Sequence, residues 1–428
     1  MTGTSPVQPV QPDSVVAAPP APAVPPVRNT KTDTLLEQLL AAHPQFFDAV
    51  TKQKDAFKLQ IIWTQIDRAA GNQPVFKSYY YNVDSSSYFY PASTVKMPVA
   101  LLALQRLREL RIPGLDLYST LITGQQYSKQ TPVYNDPSTP DGRPAVAQYV
   151  RKIFGVSDND AFNRLYEFLG SQYINERLHA MGYGSADIRH RLAIPMSEDE
   201  NRHTNPVSFF SPDGKGLYTQ PMQFNEIPYP VRTDSVGVAH LDDHEQLVQG
   251  SMDFSRKNKL SLEDLTGILK SILFPQAVAA SQRFNLEPDD LRFVWKYMSQ
   301  LPSETVYPAY DPATYHDAYV KFLLFGAQKG PLPPGIRIFN KVGDAYGFLT
   351  DVAYIVDFDK GIEFMLSATL YCNSDGIIND NKYDYESVGF PFMKNLGKVI
   401  YDYEAARKKP RPDLSGFTLT YDKAGGQR

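Results

Sequence analysis

The sequence predicts an α/β (α+β) fold, in which an antiparallel sheet is built from both ends of the chain. Strand-type segments occur near residues 59–81 and 336–371, and helix-type segments fill most of the chain between them. Distant parts of the sequence therefore meet in one sheet, with helices flanking it and an inserted all-α domain packed beside it. A site between the two lobes would receive residues from both.

Residues 1–33 are predicted to form a disordered, proline-rich tether. Eight of the 34 prolines lie between Pro6 and Pro26, and the segment contains no aromatic residue. This composition favours an extended, polyproline-like chain over a packed structure. Two interpretations stay open: a simple disordered tail, or a membrane tether whose anchor preceded residue 1.

The first half of the α/β domain is predicted over residues 34–97. Regularly spaced leucine and phenylalanine residues predict an opening helix, and two segments rich in aromatic and β-branched residues predict a hairpin. A further helix follows directly. These elements are expected at residues 34–50 (helix), 59–66 and 75–81 (strands) and 93–110 (helix).

Helices dominate the predicted middle domain, residues 98–330. Five segments there have apolar residues at helical spacing. They are residues 146–154, 160–169, 171–181, 262–273 and 289–298. Residues 185–205 are polar and residues 206–236 are rich in Pro, Gly and aromatic side chains, so both are expected to be long loops or a small hairpin. We place an insertion at about residues 206–259.

The second half of the α/β domain is predicted over residues 331–406. Three segments rich in β-branched and aromatic residues predict the remaining strands, and an amphipathic segment predicts a closing helix. These elements are expected at residues 336–341, 348–357, 362–371 and 392–406. Residues 407–428 are predicted to be a C-terminal tail, which begins with a charged, disordered-looking stretch at residues 407–412.

Charge and cysteine content exclude several classes of function. The 43 basic and 47 acidic side chains leave a net charge of −4, so no overall positive field attracts a nucleic acid. Cys372 is the only cysteine, so the chain can form neither an intrachain disulfide nor a cysteine-based zinc site. The sequence has no run of about 18 apolar residues and no secretory signal pattern.

The first chemical motif is Ser93-Thr94-Val95-Lys96, the only Ser-x-x-Lys in the chain. On the first turn of a helix, residues three apart share a face, so the Lys96 amine can reach the Ser93 hydroxyl. Unpaired N–H groups at the helix start stabilise developing negative charge. A buried lysine also loses its proton more readily than an exposed one. The alternative is a polar helix start capped by Ser93.

Two further motifs follow in order. Ser157-Asp158-Asn159 lies between two predicted helices, and Lys341-Val342-Gly343 lies on a predicted strand. Taken alone, the first is a helix cap and the second contains an edge-strand lysine. The glycine beside Lys341 would let a ligand or another segment approach the backbone closely.

In this order, the three motifs resemble the Ser-x-x-Lys, Ser-Asp-Asn and Lys-Thr-Gly set of class A β-lactamases and penicillin-binding proteins, over roughly residues 35–405. The resemblance implies a β-lactamase/transpeptidase-like fold and an acyl-enzyme formed on a serine. By residue it implies a nucleophile (Ser93), its base (Lys96), a proton shuttle to the leaving nitrogen (Ser157), a contact to the substrate amide (Asn159) and a neighbour of the substrate carboxylate (Lys341). The implied oxyanion hole consists of the backbone N–H groups of Ser93 and Asp344, next to Gly343.

The chain departs from this family at Val342, where Thr or Ser is usual. A hydroxyl aimed at the substrate carboxylate is lost, and residues 348–357 contain no arginine to replace it. A hydrogen bond to a charged group contributes roughly 1.5–3 kcal/mol, so we expect carboxylate recognition to be weakened.

A second departure concerns the loop that activates water in class A enzymes, where a glutamate is followed four residues later by Asn. Here Glu198 and Glu200 are equally ranked candidates for the deacylating base, but neither has Asn at that spacing. The alternative is a solvated acidic loop.

The insertion contains His240 and His244, with two carboxylates between them. This spacing on a helix would suit a metal pair, but no third ligand is visible, so an exposed helix start is favoured. We predict neither a metal site nor another cofactor.

The predicted function is amide hydrolysis through an acyl-enzyme, with β-lactams as the first substrate class. The alternatives are a peptidoglycan D,D-peptidase or other amide or ester hydrolase, and a non-catalytic binding protein on the same scaffold. We expect small-molecule β-lactam or peptidoglycan-peptide partners and no nucleic acid. A periplasmic, cell-envelope or extracellular location, with a role in antibiotic resistance, follows from the resemblance alone.

Overall fold

The computed structural model describes residues 30–423. Their helices are α1 (Thr34–Ala41), α2 (Pro44–Thr51), α3 (Lys96–Leu110), α4 (Val146–Val156), α5 (Asn159–Leu169), α6 (Ser171–Ala180), α7 (Glu198–Arg202), α8 (Leu262–Leu273), α9 (Pro288–Ser299) and α10 (Phe390–Ala406). Their strands are β1 (Gln60–Arg68), β2 (Pro74–Tyr81), β3 (Thr120–Thr123), β4 (Val207–Phe210), β5 (Gly216–Gln220), β6 (Ser235–Val236), β7 (Ala239–Leu241), β8 (Leu247–Gln249), β9 (Met252–Asp253), β10 (Ile336–Ala345), β11 (Phe348–Asp357), β12 (Ile362–Tyr371) and β13 (Ile377–Ile378).

The central sheet has five strands in the order β10-β11-β12-β1-β2, and every neighbouring pair is antiparallel. Strands from the two ends of the chain meet where β1 pairs with β12, with Gln60 opposite Thr369. Every residue of β11 and β12 is buried, which explains why both strands are largely apolar instead of alternating. The predicted α/β (α+β) fold with an antiparallel sheet from both chain ends is confirmed.

Apolar side chains pack on both faces of this sheet. On one face, Trp63 and Leu366 join side chains of α1, α2 and α10 in one buried cluster. On the other face, Tyr354 and Met365 join α3, α4, α5 and α8 in a second cluster. Burying each large apolar side chain contributes about 1.5–3 kcal/mol, so the sheet is held firmly between two helical layers.

The five helices predicted in the middle of the chain are confirmed, with ends that agree to within two residues. The prediction of one opening helix over residues 34–50 is wrong. That segment forms α1 and α2, and Pro44 is the first residue of α2. Proline has no N–H to donate, so it begins a new helix here instead of continuing the first one.

The structure describes only part of the predicted tether and tail. Most of the tether, residues 1–29, and the last five residues lie outside the described residues. Lys31 forms a β-bridge with Val83. Within the predicted tail, Leu414 and Phe417 are buried in the same cluster as Tyr354. The proposed domain boundaries otherwise stay a prediction.

The insertion is made of short strands. Strands β4 and β5 form the expected hairpin with β3 beside it. His240 lies in β7 and His244 in the turn to β8, so the predicted helix start is wrong. Residues 30–423 contain no group of three or more metal-ligating side chains that could hold an ion. Among the same residues, no helix combines the length and apolarity needed to cross a bilayer.

Candidate active site

Ser93 lies in a short 3-10 turn, Ala92–Val95, directly before α3. The predicted start of the helix at residue 93 is therefore wrong, since α-helical geometry begins at Lys96. Ala92 has a left-handed backbone (φ 45°), which costs energy in a non-glycine residue and persists only where the surrounding structure imposes it. Ser93 itself is half-buried and lines a cleft of about 530 Å³.

The Lys96 side chain is fully buried. Its Nζ donates to the carbonyl oxygen of Ser157 at 2.5 Å and to Asn159 Oδ1 at 2.6 Å. Within residues 30–423, no hydrogen bond joins this amine to the Ser93 hydroxyl, although the Lys96 backbone N–H contacts the Ser93 carbonyl oxygen. The predicted direct contact between the two side chains is thus not formed in this state.

Burial lowers the pKa of Lys96 to about 7, while the charges of Asp158 and Asp344 act in the opposite direction. Desolvation disfavours the charged form of an amine, and here it outweighs both carboxylates. A lysine with this pKa is partly neutral at physiological pH, so it can accept a proton.

Ser157 is the point where two lysines meet. Its Oγ lies 2.8 Å from Lys341 Nζ and 3.3 Å from Lys96 Nζ. Burial, together with the charge of Lys96, lowers the pKa of Lys341 well below its ordinary value. Two buried amines that share one hydroxyl carry less positive charge than two free lysines, because each disfavours protonation of the other.

Asp158 and Asn159 are positioned by the start of α5. Asp158 is the N-cap, and its carboxylate accepts a hydrogen bond from the Ala161 N–H. Such a cap satisfies one of the free N–H groups of the first helical turn. Asn159 is the first residue of the helix and lines the cleft. The helix cap and the site therefore use adjacent residues of one motif.

Gly343 brings β10 against the turn that carries Ser93. A Cβ atom on Gly343 would lie 2.8 Å from the Ser93 nitrogen and 2.7 Å from the Pro91 oxygen, so no larger residue fits there without movement of the backbone. Asp344 follows in β10 and lines the same cleft. The structure therefore brings together seven of the predicted site residues: Ser93, Lys96, Ser157, Asn159, Lys341, Gly343 and Asp344.

The sequence model of the Beta-lactamase enzyme family matches residues 76–403, which include all three motifs. The chain belongs to the beta-lactamase enzyme family. No curated protein matches the sequence.

Similar solved structures include the beta-lactamase from Sphaerobacter thermophilus, at 14% identity and a TM-score of 0.44 over 85% of this chain and 97% of that chain. The beta-lactamase from Burkholderia phymatum is 14% identical, with a TM-score of 0.46 over 86% and 100% of the two chains. The class A beta-lactamase from Clostridium kluyveri is 13% identical, with a TM-score of 0.46 over 84% and 98%.

In this beta-lactamase family member, Glu198 and Glu200 do not line the cleft that contains Ser93. Glu200 closes a capping box at the start of α7, where it accepts from the Ser197 N–H at 2.7 Å and from Ser128 Oγ at 2.8 Å. These hydrogen bonds lower the pKa of Glu200 to about 2, which makes it a weak base. Glu198 pairs with Arg202 at 2.9 Å. The role of either as the deacylating base stays a prediction that the geometry does not favour.

Leu192, an apolar residue, lies close to α5. The Asn163 amide clamps the backbone of Leu192, accepting from its N–H at 2.8 Å and donating to its C=O at 3.0 Å. Asn163 lies one helical turn after Asn159, on the same face of α5. These two hydrogen bonds fix the backbone of Leu192 beside α5. Within residues 30–423, no carboxylate hydrogen-bonds to the Lys96 amine.

One wall of the cleft was not anticipated from the sequence of this beta-lactamase family member. His316, Tyr319 and Lys329 from the irregular segment between α9 and β10 line it, together with Glu386 from the turn before α10. The segment has no regular apolar period and is rich in proline and tyrosine.

Proposed function

We propose that this protein is a serine hydrolase that cleaves amide bonds through an acyl-enzyme on Ser93, with β-lactams as its substrates. The observation that carries the proposal is the position of Ser157 Oγ, between the amines of Lys341 and Lys96, in the cleft that Ser93 lines. A hydroxyl placed between two amines of lowered pKa is suited to relay a proton.

In the proposed acylation, a neutral Lys96 accepts the Ser93 proton while Ser93 Oγ attacks the carbonyl carbon. The Oγ–carbon bond forms, the carbon–nitrogen bond of the amide breaks, and Ser157 Oγ passes a proton to the leaving nitrogen. Lys96 returns that proton to Ser157, so no net proton is consumed. The backbone N–H groups of Ser93 and Asp344 are the proposed donors to the oxyanion. Water then cleaves the ester and restores Ser93.

Intact-mass measurement after incubation with a fluorescent penicillin tests this proposal, with Ser93→Ala as the matched control. We expect one covalent adduct on the wild-type chain and none on Ser93→Ala, with both variants equally folded by circular dichroism. Equal labelling of Ser93→Ala would contradict the assignment of the nucleophile. The absence of an adduct from both the penicillin and a fluorophosphonate, with the penicillin also left intact, would favour the non-catalytic alternative.

A second candidate is a peptidase or another amide or ester hydrolase, in which the penicilloyl ester is long-lived. The observation that favours it is that, within residues 30–423, no carboxylate hydrogen-bonds to the Lys96 amine. The residue that Asn163 holds beside α5 is Leu192, which has no basic group. Without a base close to the ester, water attacks slowly. The lifetime of the adduct separates the two candidates: turnover within seconds supports a β-lactamase, and an adduct that persists for hours supports the second.

A further inference from the structure

The cleft beside Ser93 carries charged side chains that the proposed chemistry does not use. Asp344, Glu386 and Lys329 all line it. Within residues 30–423, none of the three makes an ion pair or a side-chain hydrogen bond. Two carboxylates and one ammonium group therefore face the space that a substrate would occupy.

Asp344 is the carboxylate that lies on the same strand as Lys341. It follows Gly343, which packs against the Ser93 nitrogen. Burial raises the pKa of Asp344, while the charges of Lys341 and Lys96 act in the opposite direction. Glu386 lies elsewhere on the wall, where it and Lys329 act with opposite sign on His316. The Asp344 carboxylate forms no ion pair with Lys341 or Lys96 within residues 30–423, so it can face a bound substrate.

The neighbours of Asp344 offer little to bind an anion. Val342 lines the cleft but has no hydroxyl, and its side chain is buried in the cluster that contains Trp63. The Lys341 amine already donates to Ser157 Oγ and to the Val342 carbonyl oxygen, each at 2.8 Å. The lowered pKa values of Lys341 and Lys96 further reduce the positive charge at the floor of the cleft near neutral pH.

We propose that Asp344 is a specificity-determining residue, which makes this cleft react faster with β-lactams, and with other amides and esters, whose carboxylate beside the scissile bond is absent or masked. The inference rests on the proposed acylation of Ser93 and narrows its substrate class. A substrate carboxylate on β10 would lie next to the Asp344 carboxylate, and like charges placed together in a partly desolvated site oppose binding. A neutral ester or amide in the same position meets no such repulsion.

The test uses a matched pair of probes, benzylpenicillin and its methyl ester, with acylation rates followed by intact mass on the full chain. For the wild type we expect the ester to react at least about tenfold faster than the free acid, since like charges in contact cost several kcal/mol. Asp344→Asn keeps the backbone N–H and the shape of the side chain, and should speed the reaction of the acid while bringing the ratio of ester to acid rates close to one. Glu386→Gln removes the same charge from the other wall and should leave the ratio within about twofold.

The outcomes separate this inference from the proposed function. An acid that reacts as fast as the ester, an Asp344→Asn ratio equal to that of the wild type, or an equal effect of Glu386→Gln would each overturn the role of Asp344. So would a fluorophosphonate adduct on Ser93 without any adduct from the ester. If neither penicillin nor the fluorophosphonate labels Ser93, the proposed function itself fails, and this inference fails with it.

Discussion

Gly343 on β10 packs so closely against Ser93 that a Cβ atom at position 343 would stand 2.8 Å from the Ser93 nitrogen. This contact fixes the edge of the sheet to the turn that carries Ser93. It also explains why a glycine follows Lys341 and Val342 at the point where the two halves of the site meet.

Gly343→Ala should lower stability and abolish most acylation. The added methyl group would contact three backbone atoms, which cannot move away as a side chain could, and overpacking of this kind costs about 1–3 kcal/mol. Urea unfolding and the penicillin labelling rate measure the two effects. Gly184→Ala is the control, because a Cβ atom there meets nothing within 4 Å and the backbone is not left-handed. Normal labelling and stability of Gly343→Ala would show that the contact is unimportant.

Acylation should depend on the ionisation of Lys96. Its pKa is lowered to about 7, so the amine is protonated and inactive as a base below this value and neutral above it. The second-order rate of acylation should therefore rise as the pH increases through about 7. Stopped-flow labelling between about pH 5 and about pH 9 measures this profile.

Asp158→Asn tests the cause of that profile. The Asp158 charge raises the pKa of Lys96, so its removal should move the midpoint to lower pH. Asparagine is as good an N-cap as aspartate, and the start of α5 should be preserved. A midpoint that stays in place, or moves upward, would be inconsistent with titration of Lys96.

Glu198→Gln and Glu200→Gln should leave the lifetime of the penicilloyl adduct unchanged. Both side chains are engaged in contacts around α7 and neither lines the cleft. The decay of the adduct, followed by intact mass after removal of free penicillin, measures the effect of each variant. A lifetime at least about tenfold longer in either variant, equivalent to about 1.4 kcal/mol, would identify that glutamate as the base.

Phe417→Ala should destabilise the whole protein by about 3–5 kcal/mol, as expected for a buried phenylalanine. Its ring lies 5.0 Å from that of Tyr354 and 5.7 Å from that of Phe274, so the C-terminal segment closes one end of the core. Phe46→Ala, at a position that is 39% exposed, should cost clearly less. Equal midpoints in urea for the two variants would mean that residues after α10 do not contribute to the core.

Much of the fold could be predicted because local signals and burial agree. Strands β11 and β12 are buried along their whole length, and their ends were predicted correctly because Gly and Asp turns bound two long apolar runs. Helix α8 carries its cap at Ser261 and an apolar stripe, so both of its ends are visible in the sequence.

The site was predictable only as three separate motifs. Lys341 Nζ lies 2.8 Å from Ser157 Oγ, although the two residues are 184 positions apart in the sequence. This contact depends on how the sheet packs against the helices, and no local sequence pattern predicts that packing. The clamp between Asn163 and Leu192 and the wall around His316 are likewise products of packing between irregular segments. Sequence patterns therefore indicate Ser93 and the two lysines, but not the residues that surround them in the cleft.

The pairing of β1 with β12 has a consequence for synthesis of the protein. The ribosome makes Ser93 early, but the strands that carry and support Lys341 pair with β1 only after β12 has left the exit tunnel. Nascent chains and prematurely terminated products should therefore be unable to react with a penicillin, even though they contain Ser93. Folding must also close a loop between distant segments, which makes it slow. Until β12 pairs with β1, the apolar face of the β1–β2 hairpin stays uncovered.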